Sequence, residues 1–119
     1  MRLFSMLPED RVRLLHMIDA ADNAMGFVAG YTQAALEEDR KTLFAVIRCI
    51  EIIGEASARV SDATRTNAPD IPWGAIVGMR NRLVHAYFDV DSELVWKTIN
   101  TELPSLQKRL RELLGADGL

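Results

Sequence analysis

The chain has 119 residues, 49% of them hydrophobic and 26% charged, with a formal net charge of −3. That balance excludes a disordered or fibrous chain and a generic basic nucleic-acid binder, and it is enough for one packed core. The lone cysteine, Cys49, excludes an internal disulfide, and its apolar surroundings mark it as a small buried hydrophobe. No apolar run approaches the roughly 20 residues of a membrane helix. The opening MRLFSMLPEDR also lacks the apolar region of a signal peptide, so a cytoplasmic location is the expectation.

In chain order, Pro8-Glu9-Asp10 reads as a helix start, with proline at the first helical position and acids at the positive end of the dipole. Val12, Leu15, Ile18, Ala21 or Asp22, Met25 and Val28 then recur at helical spacing, and Gly30 ends the helix. Thr32 to Glu38 adds a short helical turn, and Asp39 caps a second long helix. Leu43, Val46, Ile47, Ile50, Ile53, Ser57 and Val60 form its apolar stripe. Beside them Gly54, Ala58 and Ser61 make a strip of small residues that another helix can approach closely.

Thr66 to Pro72 contains two prolines and breaks the helical pattern. Pro72 then opens a third helix, predicted to run from Trp73 towards His85. Tyr87 to Asp91 is a turn, with Asp89 or Asp91 capping the last helix. In that helix Val95, Ile99, Leu103, Leu106, Leu110 and Leu113 form a seam that Pro104 should kink. No strand pattern competes. The predicted fold is all-α, an antiparallel bundle of four main helices plus a short extra helix, in a single domain over residues 1–119.

Chemistry is concentrated at Met79 to Asp89, M-R-N-R-L-V-H-A-Y-F-D. An arginine offers a planar fork of donors to a phosphate, and a histidine moves protons near neutral pH. On an unbroken helix Asn81 and His85 would lie about 40° apart and Arg80 and Tyr87 about 20°, while Arg80 and His85 would be roughly 140° apart. A joint Arg80–His85 site therefore needs an early helix end, a long reach or a second subunit. Solvated arginines and a histidine that complements a helix dipole would look the same at this level. Glu51 and Glu55, one turn apart, fit helix pairing with Arg48 or Arg59, or one of them a role in orienting Arg80. Arg40 and Lys41, with Arg82, are either an extension of a basic cleft or a solvated face. His16 reads as structural or solvated, and Trp73 and Trp96 as core anchors.

The stretch R-N-R-L-V-H-A-Y resembles the signature of HEPN domains, an arginine followed after several residues by a histidine. With Tyr87 added, it is similar to the HepT branch of toxin–antitoxin toxins. D-R-K-T-x-x-A-V-I-R at 39–48, E-I-I-G-E-A at 51–56, I-P-W at 71–73 and Val95-Trp96 extend the resemblance over nearly the whole chain.

The resemblance implies a HEPN-like homodimer, an endoribonuclease that cuts tRNA or mRNA without a metal or other cofactor, its two motif copies facing one cleft. It assigns Arg80 to the scissile phosphate, His85 to proton transfer at the ribose 2′-hydroxyl, and Asn81 and Arg82 to support. It also implies a cognate minimal nucleotidyltransferase antitoxin that silences the toxin by adding AMP to Tyr87. The other reading the resemblance allows is a non-catalytic helical module binding a nucleotide or such a partner.

Overall fold

Pro8 opens helix α1 (Pro8–Phe27), with Glu9 and Asp10 in its first turn; the computed structural model describes residues 4–85 and 89–116. The chain reverses over residues 28–32, where Gly30 has φ +80°, a conformation that costs glycine nothing. Helix α2 (Gln33–Glu38) follows, with the Thr32 hydroxyl accepting from the Ala35 N–H. Helix α3 (Arg40–Ala58) is capped by Asp39, whose Oδ1 accepts from the Thr42 N–H at 3.1 Å. The other carboxylate oxygen of Asp39 takes the Tyr31 and Thr42 hydroxyls, each at 2.7 Å. Bonds from Tyr31 and then Thr42 hold the Asp39 carboxyl down at about 2.

α1 packs antiparallel on α3, because Asp10 at its start meets Ser61 just beyond the end of α3. All seven stripe positions of the second long helix, Leu43 to Val60, are buried. The α1 stripe differs from the sequence expectation. Leu14 and Met17 are fully buried, while Val12 and Leu15 face solvent at 45% and 43% exposure. Small Ala20, Ala21 and Ala24 complete the buried face, which lets α3 and α8 lie close to it.

The expected break at Thr66–Pro72 is shorter than its sequence suggests. Helix α4 (Asp62–Asn67) occupies its first part, capped by Ser61. The predicted third helix is two short ones, α5 (Trp73–Val77) and α6 (Met79–Leu83), interrupted at Gly78 and ended by extended Val84. After the motif, Asp91, not Asp89, caps α7 (Ser92–Lys97) through its bond from the Leu94 N–H. The chain then passes through a π-helical turn, Thr98–Glu102, into α8 (Leu103–Ala116). In that turn Leu103 N–H reaches back five residues to the Thr98 carbonyl, directly ahead of Pro104, which has no N–H to give. The last seam, Val95 to Leu113, is buried at all six expected positions. Trp73 is buried with its indole N–H on the Ala68 carbonyl, and Trp96 is half-buried. Among the described residues the fold is all-α, its only strand-like feature a single bridge between Val84 and Val90. No helix among them is long and apolar enough to cross a membrane.

One buried charge ties the start of α1 to the end of α3. Asp10 is 2% exposed and accepts from the Ser61 N–H at 2.9 Å, the Ser61 hydroxyl, and the Thr64 hydroxyl at 2.6 Å. Arg65 closes the same corner, donating to the Ser57 and Val60 carbonyls at 2.7 and 3.1 Å. Burial pushes the Asp10 carboxyl up, but the bonds from Ser61 and Thr64 outweigh it and hold the group below its ordinary 3.8. A depressed folded-state value means that the stability Asp10 contributes is present above the unfolded-state pKa and is lost as pH falls through the folded one. Asp10→Asn should lower unfolding free energy by about 2 kcal/mol at neutral pH, since its amide turns donors towards donors. Urea melts from neutral pH down into the acid range should show the parent losing that advantage, and parallel curves would remove Asp10 as the cause.

Candidate functional site

The motif lies where α3 touches the α5–α6 pair. A Cβ built on Gly54 would sit 3.3 Å from both the Ile76 and Val77 carbonyl oxygens, so the bare backbone of α3 lets α5 approach this closely. The close approach expected of the small-residue strip is thus realised at Gly54. Ala58 is exposed, and Ser61 serves as the α4 cap.

That contact brings Arg80 beside Glu51. Arg80 Nε lies 3.2 Å from Glu51 Oε2, and the Nε atom is fully shielded from solvent. It is an ion pair without the alignment of a hydrogen bond. The Arg80 side chain as a whole is 40% exposed, so its accessible part lies elsewhere on the side chain. Glu51 Oε1 lies 3.8 Å from Arg48 Nη1, and the same Nη1 lies 3.3 Å from Glu55 Oε1. The helix pairing expected of the glutamates is met, with Glu51 and Glu55 both against Arg48, and Glu51 also reaches Arg80. A cavity of about 280 Å³ opens here, lined by Glu51, Gly54, Glu55, Ala58, Val77 and Arg80.

The remaining motif residues diverge from Arg80. Asn81 is exposed in the middle of α6. Arg82 donates from Nη2 to the Ala75 carbonyl at 3.2 Å and lines a different cavity, about 520 Å³, between α5–α6 and α8. There Asp70 and Arg109 form a two-pronged pair at 2.6 and 3.0 Å. Arg40 lies over the Phe44 ring, 4.9 Å from its centroid, and Lys41 is exposed. Neither is shown joining Arg82 in one basic cleft.

His85 is exposed and already beyond the helix. The helical arithmetic that paired it with Asn81 therefore does not apply. Its N–H bonds to the Asp89 carbonyl at 2.8 Å, and the Asp91 N–H bonds to the Leu83 carbonyl at 2.8 Å, so His85 is held against Asp89 and Leu83 against Asp91. Tyr87 lies outside the described residues. Among the described residues no group of three or more His, Cys, Asp or Glu side chains is placed to hold a metal ion. Cys49 is buried, its thiol pushed up by desolvation. His16 is exposed.

The comparisons with known proteins agree on one family. The family described as ribonuclease HepT-like matches residues 17–113. A Thermococcus cleftensis protein named probable ribonuclease HepT is 47% identical over 75 residues, 63% of this chain and 68% of the relative. Two proteins named putative RNases are similar over more of their length. One, from Methanocaldococcus jannaschii, is 33% identical over 82% of this chain and 89% of its own. The other, from Caldanaerobacter subterraneus, is 34% identical over 87% and 93%. No solved structure matches the chain.

Proposed function

The chain belongs to the HepT-like ribonuclease family, and on that premise we propose that it is the ribonuclease toxin of a toxin–antitoxin pair. Arg80 takes the scissile phosphate and stabilises the charge that develops on it. His85 takes the proton of the ribose 2′-hydroxyl as that oxygen attacks the adjacent phosphate, the bond from phosphorus to the 5′-oxygen breaks, and the proton is returned to that leaving oxygen, so a 2′,3′-cyclic phosphate and a 5′-hydroxyl are left. Asn81 and Arg82 support the RNA on either side. The observation that carries this reading is the Arg80 side chain, held at its Nε edge while the side chain stays partly open to solvent. No cofactor is assigned, and the attack on phosphate is internal to the RNA, so the reaction is proposed to proceed without a metal. Arg80→Ala and His85→Ala should each lower cleavage of total tRNA or mRNA by about a thousandfold while leaving helix content unchanged, and the parent should cut in the presence of a chelator. Cleavage by His85→Ala at the parent rate would remove the chemistry. An intact protein that cuts no RNA would favour a non-catalytic binding module.

The reading also needs two copies, and α3 supports how they meet. Its outward positions Phe44, Arg48, Glu55 and Arg59 are exposed and share one side, with half-buried Glu51 and Ile52 between them. A two-fold axis at 51–52 sets Arg48 of one copy against Glu55 of the other and Phe44 against Arg59. The two Arg80 side chains then flank the axis through Glu51. Arg48→Glu should shift the protein towards monomer in sedimentation, and Arg48→Glu combined with Glu55→Arg should restore the dimer. Equal dimer content in all three proteins would place the interface elsewhere.

Silencing is proposed to act at Tyr87. AMP groups there carry negative phosphates into a site built for RNA phosphate and compete for Arg80. The donor is a cognate minimal nucleotidyltransferase antitoxin. Mass spectrometry of protein co-expressed with the neighbouring gene product should find AMP on Tyr87, and its appearance on another residue instead would refute this part.

A further inference from the structure

We infer that Glu51 is the positioning residue of Arg80, fixing which edge of the guanidinium meets the substrate; this rests on the ribonuclease reading for Arg80. Arginine is a poor locator by itself, since its long side chain has many rotamers to lose. Its local backbone adds little. α6 is five residues long, starts at Gly78 with no side-chain cap, and ends in extended chain.

Glu51 stands on firmer ground. It lies in the middle of nineteen-residue α3, with Ile50 and Ile53 fully buried beside it and the backbone contact at Gly54 one turn on. The geometry of the pair is edge-specific. Glu51 Oε2 faces the shielded Nε, so the two terminal amino groups remain as the parallel donors that a phosphate requires.

Arg48 completes the arrangement. It lies within 3.8 Å of the other Glu51 oxygen and 3.3 Å of Glu55, so the carboxylate is oriented from both sides. Two arginines and two glutamates leave the cluster balanced. A phosphate arriving at Arg80 therefore meets a Glu51 charge already offset by Arg48, and no contact has to break for it to bind. Both Glu51 oxygens face cations, which is why the carboxylate acts as a holder and not as the base.

The test is a double-mutant cycle on RNA cleavage together with a signal from the arginine itself. Glu51→Ala should lower kcat about 10- to 100-fold, the scale of a misplaced catalytic group, with KM changed far less. Glu51→Gln, which keeps the shape at the Nε edge but not the charge of the ion pair, should recover only part of that loss. In an Arg80→Ala background Glu51→Ala should cost nothing further, whereas a purely structural role would add its full effect. The Arg80 Nε–H resonance, observed by ¹⁵N NMR, should exchange slowly in the parent and fast in Glu51→Ala. Unchanged kcat and exchange in Glu51→Ala, or a full additional loss in the Arg80→Ala background, would overturn the inference. If the parent cuts no RNA, the ribonuclease reading fails, and the Nε–H exchange still decides whether Glu51 holds Arg80.

Discussion

The candidate site depends on the meeting of two backbones. At Gly54 the absence of a side chain lets α3 come within contact distance of the Ile76 and Val77 carbonyls, and that contact sets Glu51 within an ion pair of Arg80. A methyl group there would sit at 3.3 Å from two carbonyl oxygens that belong to the main chain and have little room to give. The consequence runs upward from one residue. The helix crossing places the glutamate, and the glutamate lies against the Nε edge of a guanidinium whose side chain stays partly exposed.

The rest of the fold holds that crossing in place from both ends. At one end the Asp10 carboxylate gathers Ser61 and Thr64, and Arg65 takes the Ser57 carbonyl near the end of α3 and the Val60 carbonyl just beyond it. At the other, Asp39 gathers the Thr42 N–H, the Thr42 hydroxyl and the Tyr31 hydroxyl. Both corners are carboxylates saturated by neutral donors, which fix position without needing a counter-ion. Asp22 meets Gln107 and Arg111 across to α8, so α1 is tied to both of its neighbours.

Much of this was legible in the sequence wherever one periodicity had one outlet. The seam from Val95 to Leu113 and the α3 stripe are apolar on a single side, and both are buried as expected. Asp39 was readable as a cap, and Asp91 as one of two candidates with Asp89, because a short carboxylate before a helix has a local task. α1 was harder, since Val12, Leu14, Leu15, Met17 and Ile18 offer two overlapping stripes. The choice between them was made by where α3 and α8 pack, which no local pattern contains. The end of α6 at extended Val84, paired with Val90, is likewise a tertiary matter, and it leaves His85 off the helix that carries Arg80. The pairing of Glu51 with Arg80 was one of two roles open to the glutamates, and the second arginine, Arg48, turned out to serve both.

The division of labour between Arg80 and Arg82 bears on how an acidic protein could handle RNA. The two residues are two apart on α6, yet one turns to Glu51 on α3 and the other to the Ala75 carbonyl and the cavity bordered by α8. They do not form a joint basic patch, and Arg80 itself sits in a cluster whose charges cancel. With a net charge of −3, no broad positive field is available to gather phosphates from a distance. Under the proposed function, recognition rests on a few donors aimed in advance, where orientation replaces charge density. Such a site is also easy to close, because one phosphate delivered to the same donors removes most of what the substrate could bind. Under the proposed function, a positioned arginine and silencing by a nucleotide on Tyr87 follow from the same scarcity of positive charge.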